Sequence, residues 1–261
     1  MGIAGFIVQG SGFKRIIARA LGPFLSVNGQ PVPGTLQDPL LELRDSNGNT
    51  LINDNWRSSQ EAEIQQSGLA PQDDREAAII RIVPPGDYTA LSRGADGGTG
   101  IGLIEIYDIG TIPLAKIESA AELQEAVAAA AVELGNLSVR ADVQTGDNVL
   151  IDGIILRGDI PKRVVFRALG PSLAVNGTPV PGRLQNPTLE LRDANGFLLR
   201  DNDDWQDAPN AAEIQTTGLA PPDPKESAIL MPLGSGNYTS IVRGVGGTTG
   251  IGLSEAYKLN N

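Results

Sequence analysis

The feature that most limits what this chain can fold into is an internal duplication. KRIIARALGPFLSVNGQPVPGTLQDPLLELRDSNG, starting at Lys14, recurs as KRVVFRALGPSLAVNGTPVPGRLQNPTLELRDANG from Lys162, and 26 of 39 positions match over 14–52 at an offset of 148. One residue is added near Asp201 and another near Pro209, after which EAEIQQSGLAP aligns with AAEIQTTGLAP and GDYTALSRG with GNYTSIVRG. A repeat of this length means that one module occurs twice, and any fold or site must be accounted for in duplicate.

The copies differ at the front. Val149 is the counterpart of Met1, and the second copy carries NLSVRADVQTGDN (Asn136–Asn148) ahead of it, so the first copy starts 13 residues short of that strand. Two expectations follow. Either the first module is completed by a strand supplied from another chain or from the linker, giving a head-to-tail polymer, or the chain is a fragment of a longer array. In the first case the assembly strand is carried by Leu137, Val139, Ala141 and Val143.

Within the second copy, the segments Leu137–Ala141, Val149–Arg157, Arg163–Leu169, Thr188–Asp193, Phe197–Asp201, Ser227–Pro232, Asn237–Arg243 and Ile251–Leu259 read as strands. Several alternate apolar and polar residues, and Gly-rich turns separate them. Short strands with regular punctuation predict an all-β fold, two tandem β-sandwich or jelly-roll modules. Short helices are expected near Gln60–Ser67 and Asn210–Thr217, and hairpin turns at Asn47-Gly48 and Asn195-Gly196. The expected boundaries are 1–110 for module one, 111–135 for a linker and 136–261 for module two. The linker ESAAELQEAVAAAAVELG opens with a capping box, Ser119 and Glu122, and places Leu123, Val127 and Leu134 on one face. It predicts an Ala-rich α-helix over 120–134, either a linker packed on a module or an element docking on a neighbouring chain.

PTLELRDANGFLLRDNDDW followed by GNYTSIVRGVGGTTGIGLSEAYKL resembles the β-sandwich of bacterial pre-peptidase C-terminal domains. With NLSVRADVQTGDNVLIDGIIL, the whole module is similar to tandem repeats in large secreted and surface proteins of environmental bacteria. The resemblance departs at the Ala-rich segment and at the missing opening strand. It implies an extracellular or cell-surface location and a structural or binding role, with no chemistry to carry over.

Composition narrows the function. There is no Cys and no His, which excludes disulfides, thiolate or imidazole metal sites, and catalytic triads that need either residue. A net charge of −11 argues against nucleic acid or an anionic membrane as partner. No apolar run is long enough to insert into a bilayer, and MGIAGFIVQGSGFKR has neither the basic start nor the cleavage site of a signal peptide.

Three residue sets are candidate sites. Asp45, Asn47 and Asp54, matched by Asp193, Asn195, Asp201 and Asp203, offer oxygen ligands suited to Ca²⁺, or they simply build turns. Trp56 and Trp205 are the only tryptophans, placed either to stack on a sugar or to close the core. Arg15, Arg19, Arg44, Arg93, Glu42 and Glu105 recur as Arg163, Arg167, Arg192, Arg243, Glu190 and Glu255, as cross-strand pairs or as a surface shared with a neighbour. Asp203 and Asp204 do not define a glycosidase cleft, and GADGGTG and GVGGTTG connect strands, so they are hairpin loops and not phosphate loops. The reading is a non-enzymatic structural protein that self-associates, with an extracellular polysaccharide-binding module and a passive adhesin spacer as alternatives.

Overall fold

A computed structural model of the chain describes residues 1–10, 12–27, 29–110 and 133–259. The fold is all-β. The chain divides into two compact units, Met1–Gly135 and Asn136–Asn261.

In the first unit the strands are β1 (Gly2–Gln9), β2 (Lys14–Leu21), the short β3 (Ser26–Val27) and β4 (Gln30–Pro31), β5 (Pro39–Asp45), β6 (Thr50–Asn53), β7 (Ala77–Val83), β8 (Gly86–Gly94) and β9 (Leu103–Asp108). Helix α1 (Glu61–Gln66) lies between β6 and β7. One antiparallel sheet runs β1-β8-β5-β6 and the other β7-β2-β9. Alternation decides which side chains go inside. Phe6, Val8, Leu41, Leu43, Tyr88 and Ala90 from one sheet meet Ile16, Ala18, Ala20, Ala77, Ile79 and Val83 from the other in a single buried cluster. A smaller cluster of Ile17, Trp56, Ile64, Ala78 and Ile80 seals the opposite face of β2 and β7 beneath α1.

β10 (Glu133–Val143) precedes the second set: β11 (Leu150–Leu156), β12 (Lys162–Leu169), β13 (Ala174–Val175), β14 (Thr178–Pro179), β15 (Pro187–Asp193), β16 (Leu198–Asn202), β17 (Ser227–Leu233), β18 (Gly236–Gly244) and β19 (Gly250–Lys258). Helix α2 (Ala211–Thr216) repeats α1. The sheets are β11-β18-β15-β16 and β17-β12-β19-β10, around a core led by Phe166, Leu184, Leu189, Leu191 and Val242.

Both Pro- and Gly-rich loops are ordered by a buried carboxylate. Glu226 Oε1 accepts from the N–H groups of Gly170 and Ser172, both at 2.9 Å, and from Ser172 Oγ at 2.7 Å, while Oε2 accepts from Asp223 N–H at 3.2 Å. Glu76 does the same for Gly22, Phe24 and Asp73. The Gly of each LGP is required by close approach, since a Cβ on Gly22 would lie 1.9 Å from Leu36 O and one on Gly170 2.2 Å from Leu184 O. The hairpin turns form as expected, with Gly48 and Gly196 at φ 83° and 80°.

The linker reading needs correction at its end. Leu123 and Val127 lie outside the described residues, but Leu134 is not helical. It falls in β10 and packs against the first core. Strand pairing and burial outweigh the helix propensity of the Ala-rich run there.

Candidate assembly edge

The two units differ where the repeat is uneven. In the second unit β10 pairs antiparallel with β19, from Asn136 opposite Tyr257 to Val143 opposite Gly250. Val143 is buried in the second core, Val139 and Ala141 pack against that core, and Leu137, facing Ala256, is half-buried. In the first unit the equivalent of β19 is β9. It pairs with β2 along one side, from Ile16 opposite Asp108 to Leu21 opposite Leu103, and among the described residues no strand lies along its other side. A row of backbone donors and acceptors that β10 satisfies in one unit therefore meets no strand in the other among the described residues.

The side chains on these strands match that difference. Ile104 and Ile106 occupy the positions of Ser254 and Ala256, and their bulk packs on the first core from the sheet margin. Among the described residues nothing covers the backbone edge itself. Across its six residues β9 has no Lys, Arg or Pro, the usual means of discouraging strand addition, and Leu103 is 39% exposed.

The charged residues form duplicate clusters. Arg167 Nε donates to Glu255 Oε2 at 2.9 Å, and its Nη1 donates to Leu219 O at 3.0 Å. Its guanidinium also lies 5.0 Å from the Tyr257 ring centroid, and Tyr257 donates to Glu255 Oε1 at 2.8 Å. Burial, reinforced by the Glu255 carboxylate, pushes the Tyr257 hydroxyl up to about 12. Arg19, Glu105, Leu69 O and Tyr107 repeat the arrangement, and the Tyr107 hydroxyl is raised by the same causes. The Glu105 side chain is 20% exposed against 8% for Glu255, consistent with the uncovered edge beside it. Other predicted members pair as Arg44 and Arg93 with Glu42, Arg192 and Arg243 with Glu190, Arg15 with Glu63, and Arg163 with Glu213. Hydrogen bonding from Arg44, then from Arg93, holds the Glu42 carboxyl below the usual carboxylate range.

One buried polar group has no counterpart in the first unit. Asp152 of β11 accepts from Ser240 Oγ at 2.6 Å, Ser240 Oγ lies 2.9 Å from Ser254 Oγ, and Asp152 Oδ2 has no partner. Ala4, Ala90 and Ile104 hold the equivalent positions in the first unit. Burial, with Glu255 adding like charge, raises the Asp152 carboxyl.

Two of the sequence-predicted sites are not assembled. Among the described residues no three acidic side chains are grouped to hold a metal ion. Asp45 and Asp193 are turn residues: each Oδ1 accepts two backbone N–H groups, from Asn47 and Asn49 and from Asn195 and Phe197. Asp45 Oδ2 is taken by Asn49 Nδ2 and Arg81, and its carboxyl is lowered, first by Asn49. Asp54 follows β6 with a buried, unpartnered Oδ1, and Asp201 lies opposite Glu190 in the β15–β16 ladder. Asp203 is raised by burial and by Asp204 and Asp207. Trp56 and Trp205 are buried, against Ile64 and Ile214 respectively, so neither presents a ring face to a sugar. The Trp closes the packing beneath each short helix.

Sequence reasoning missed two features. Glu76 and Glu226 recur in REAAI and KESAI, and the signal was a charged residue retained in both copies at the mouth of an apolar strand. The second is another open edge, that of β11, which pairs with β18 alone among the described residues. Its outward Ile151 and Ile155 are 52% and 46% exposed.

No family model matches the chain, and no curated protein matches it. Among solved structures, the tandem CBM51 modules of Sp3GH98, the family 98 glycoside hydrolase from Streptococcus pneumoniae SP3-BS71, align with 98% of this chain and 81% of that chain. The TM-score is 0.26 and the identity 9%, a likeness too loose to carry an argument.

Proposed function

We propose that the chain is a non-enzymatic extracellular structural protein whose first unit joins a neighbour by accepting a β-strand along β9. The observation that carries this reading is the contrast between the two units: the β19 edge is covered by β10, while the equivalent β9 edge has no second strand among the described residues. Strand addition uses main-chain hydrogen bonds for affinity and alternate side chains for specificity, so it needs no catalytic or ligand chemistry. The similarity of the repeat to modules of large secreted proteins supports the same role and location. The burial of both tryptophans removes the stacking face that a polysaccharide-binding reading relies on.

Sedimentation of the purified chain over a concentration series tests the proposal. Mass should grow with concentration, and the exposed pair Ile101→Lys and Leu103→Lys should hold the chain as a monomer. A wild-type chain that stays monomeric throughout is a passive spacer, and the proposal fails.

A further inference from the structure

The partner of β9 is constrained by which other strand edge is unpaired among the described residues. Donation of β10 by a second copy gives no net gain, because it covers β9 in one molecule and uncovers β19 in another. Pairing of β9 with β9 of a second copy does add a ladder, but it closes a dimer and leaves the β11 edge of both copies without a partner. Ile104 and Ile106 pack on the core, so Leu103, Glu105 and Tyr107 share the outer face. Of the two two-fold registers that keep outer face with outer face over five residues, one sets Glu105 opposite Glu105 of the second copy and the other sets Glu105 opposite Tyr107. Like charges directly opposite one another disfavour the first.

The second unit supplies a better partner. Among the described residues β11 pairs with β18 alone, Ile151 opposite Ile241, Gly153 opposite Thr239 and Ile155 opposite Asn237, and these three β11 residues share the outer face. Its seven residues contain no Lys, Arg or Pro, and its one charge, Asp152, points inward. The same strand in the first unit, β1, has Ile3 and Ile7 half-buried where Ile151 and Ile155 stand exposed.

We infer that β9 of one copy pairs antiparallel with β11 of a second copy, producing a head-to-tail filament. The register that matches outer faces sets Leu103 opposite Ile155, Glu105 opposite Gly153 and Tyr107 opposite Ile151. That gives two apolar pairs, one of them aromatic against β-branched, and no charge faces its like. The interface joins two different surfaces of the same molecule, so each addition regenerates a free edge at both ends and growth stays open unless the rotation closes a ring. This inference rests on the reading of β9 as a strand acceptor and adds the identity of the donor.

The test uses two blocked full-length variants, Ile101→Lys with Leu103→Lys on the β9 side and Ile151→Lys with Ile155→Lys on the β11 side. All four positions are exposed, and circular dichroism verifies folding; Ile151→Glu with Ile155→Glu is a second β11 variant should the first fail to fold. Sedimentation is expected to show polymers for the wild type, monomers for each variant alone, and a one-to-one dimer that stops growing when the variants are mixed. Dimers formed by the β11-blocked variant alone would overturn this inference in favour of β9 self-pairing and leave the proposed function standing. A mixture that stays monomeric while the wild type polymerises would overturn the inference as well. A monomeric wild type, or a β9-blocked variant that still polymerises, would overturn both.

Discussion

Asp152 and Ser240 meet at 2.6 Å inside the second core, at positions where the first unit has Ala4 and Ala90. The hydrogen bond satisfies one carboxylate oxygen and leaves the other without a partner. An ionised carboxylate there lacks a compensating cation, and burial raises its pKa accordingly.

The consequence is a pH dependence with a definite sign. A raised pKa means that the folded unit keeps a proton at pH values where the unfolded chain, near 3.8, has lost it. Stability of the second unit therefore falls as pH rises from that value through the raised pKa, and levels off above it. Asp152→Asn keeps an acceptor for Ser240 and removes the charge. It should stabilise the second unit at neutral pH by about 1 kcal/mol or more, roughly 4 °C in Tm for a unit of this size, and the gain should vanish toward pH 4. Thermal unfolding of both proteins across pH checks this; an equal Tm difference at every pH contradicts it.

Glu226 offers the opposite case, a buried carboxylate with four donors. Glu226→Ala strands the N–H groups of Gly170, Ser172 and Asp223, and should cost the second unit about 3 kcal/mol or more. Denaturant unfolding measures it, with Glu76→Ala expected to act on the first unit in the same way. A loss within the error of the extrapolation would show that the loop is held by its packing alone.

Calcium should have no effect on stability. The Asp45 and Asp193 carboxylates already accept backbone donors, and no acidic group of three is assembled among the described residues. Melting curves with and without millimolar Ca²⁺ should superimpose, and a reproducible rise in Tm would restore the metal reading.

Each 261-residue chain carries a net charge of −11, so neighbouring chains in a filament repel one another at long range. Screening shortens that repulsion to about 8 Å at physiological ionic strength. Association should strengthen as salt is added, and light scattering across a salt series would show it. Association that weakens with salt would point to ion pairs, not strand edges, as the contact.

Much of this architecture is legible in the residues because period-two alternation and turn glycines act locally. The strand positions, the two short helices and the hairpins at Gly48 and Gly196 follow from such signals. Long-range outcomes were hidden. Leu134 sits in a run with strong helix propensity, and only its packing on the first core makes it part of a strand. Trp56 follows Asn-Asp-Asn, which leaves a sugar-stacking ring and a core-closing ring both open from the residues alone, and the structure buries the ring with Ile17, Ile64 and Ile80. The open edge of β11 has no local signature, since a strand reads the same whether it gains one neighbour or two.

Amide hydrogen exchange on β9 tests the central claim most directly. In the free chain, the amides of Leu103–Asp108 that point away from β2 should exchange fast, while the equivalent amides of β19, covered by β10, exchange slowly. Raising the concentration into the range where mass grows should slow the outward β9 amides and leave β19 unchanged. Exchange on β9 that stays fast while the chain assembles would contradict assembly through this edge.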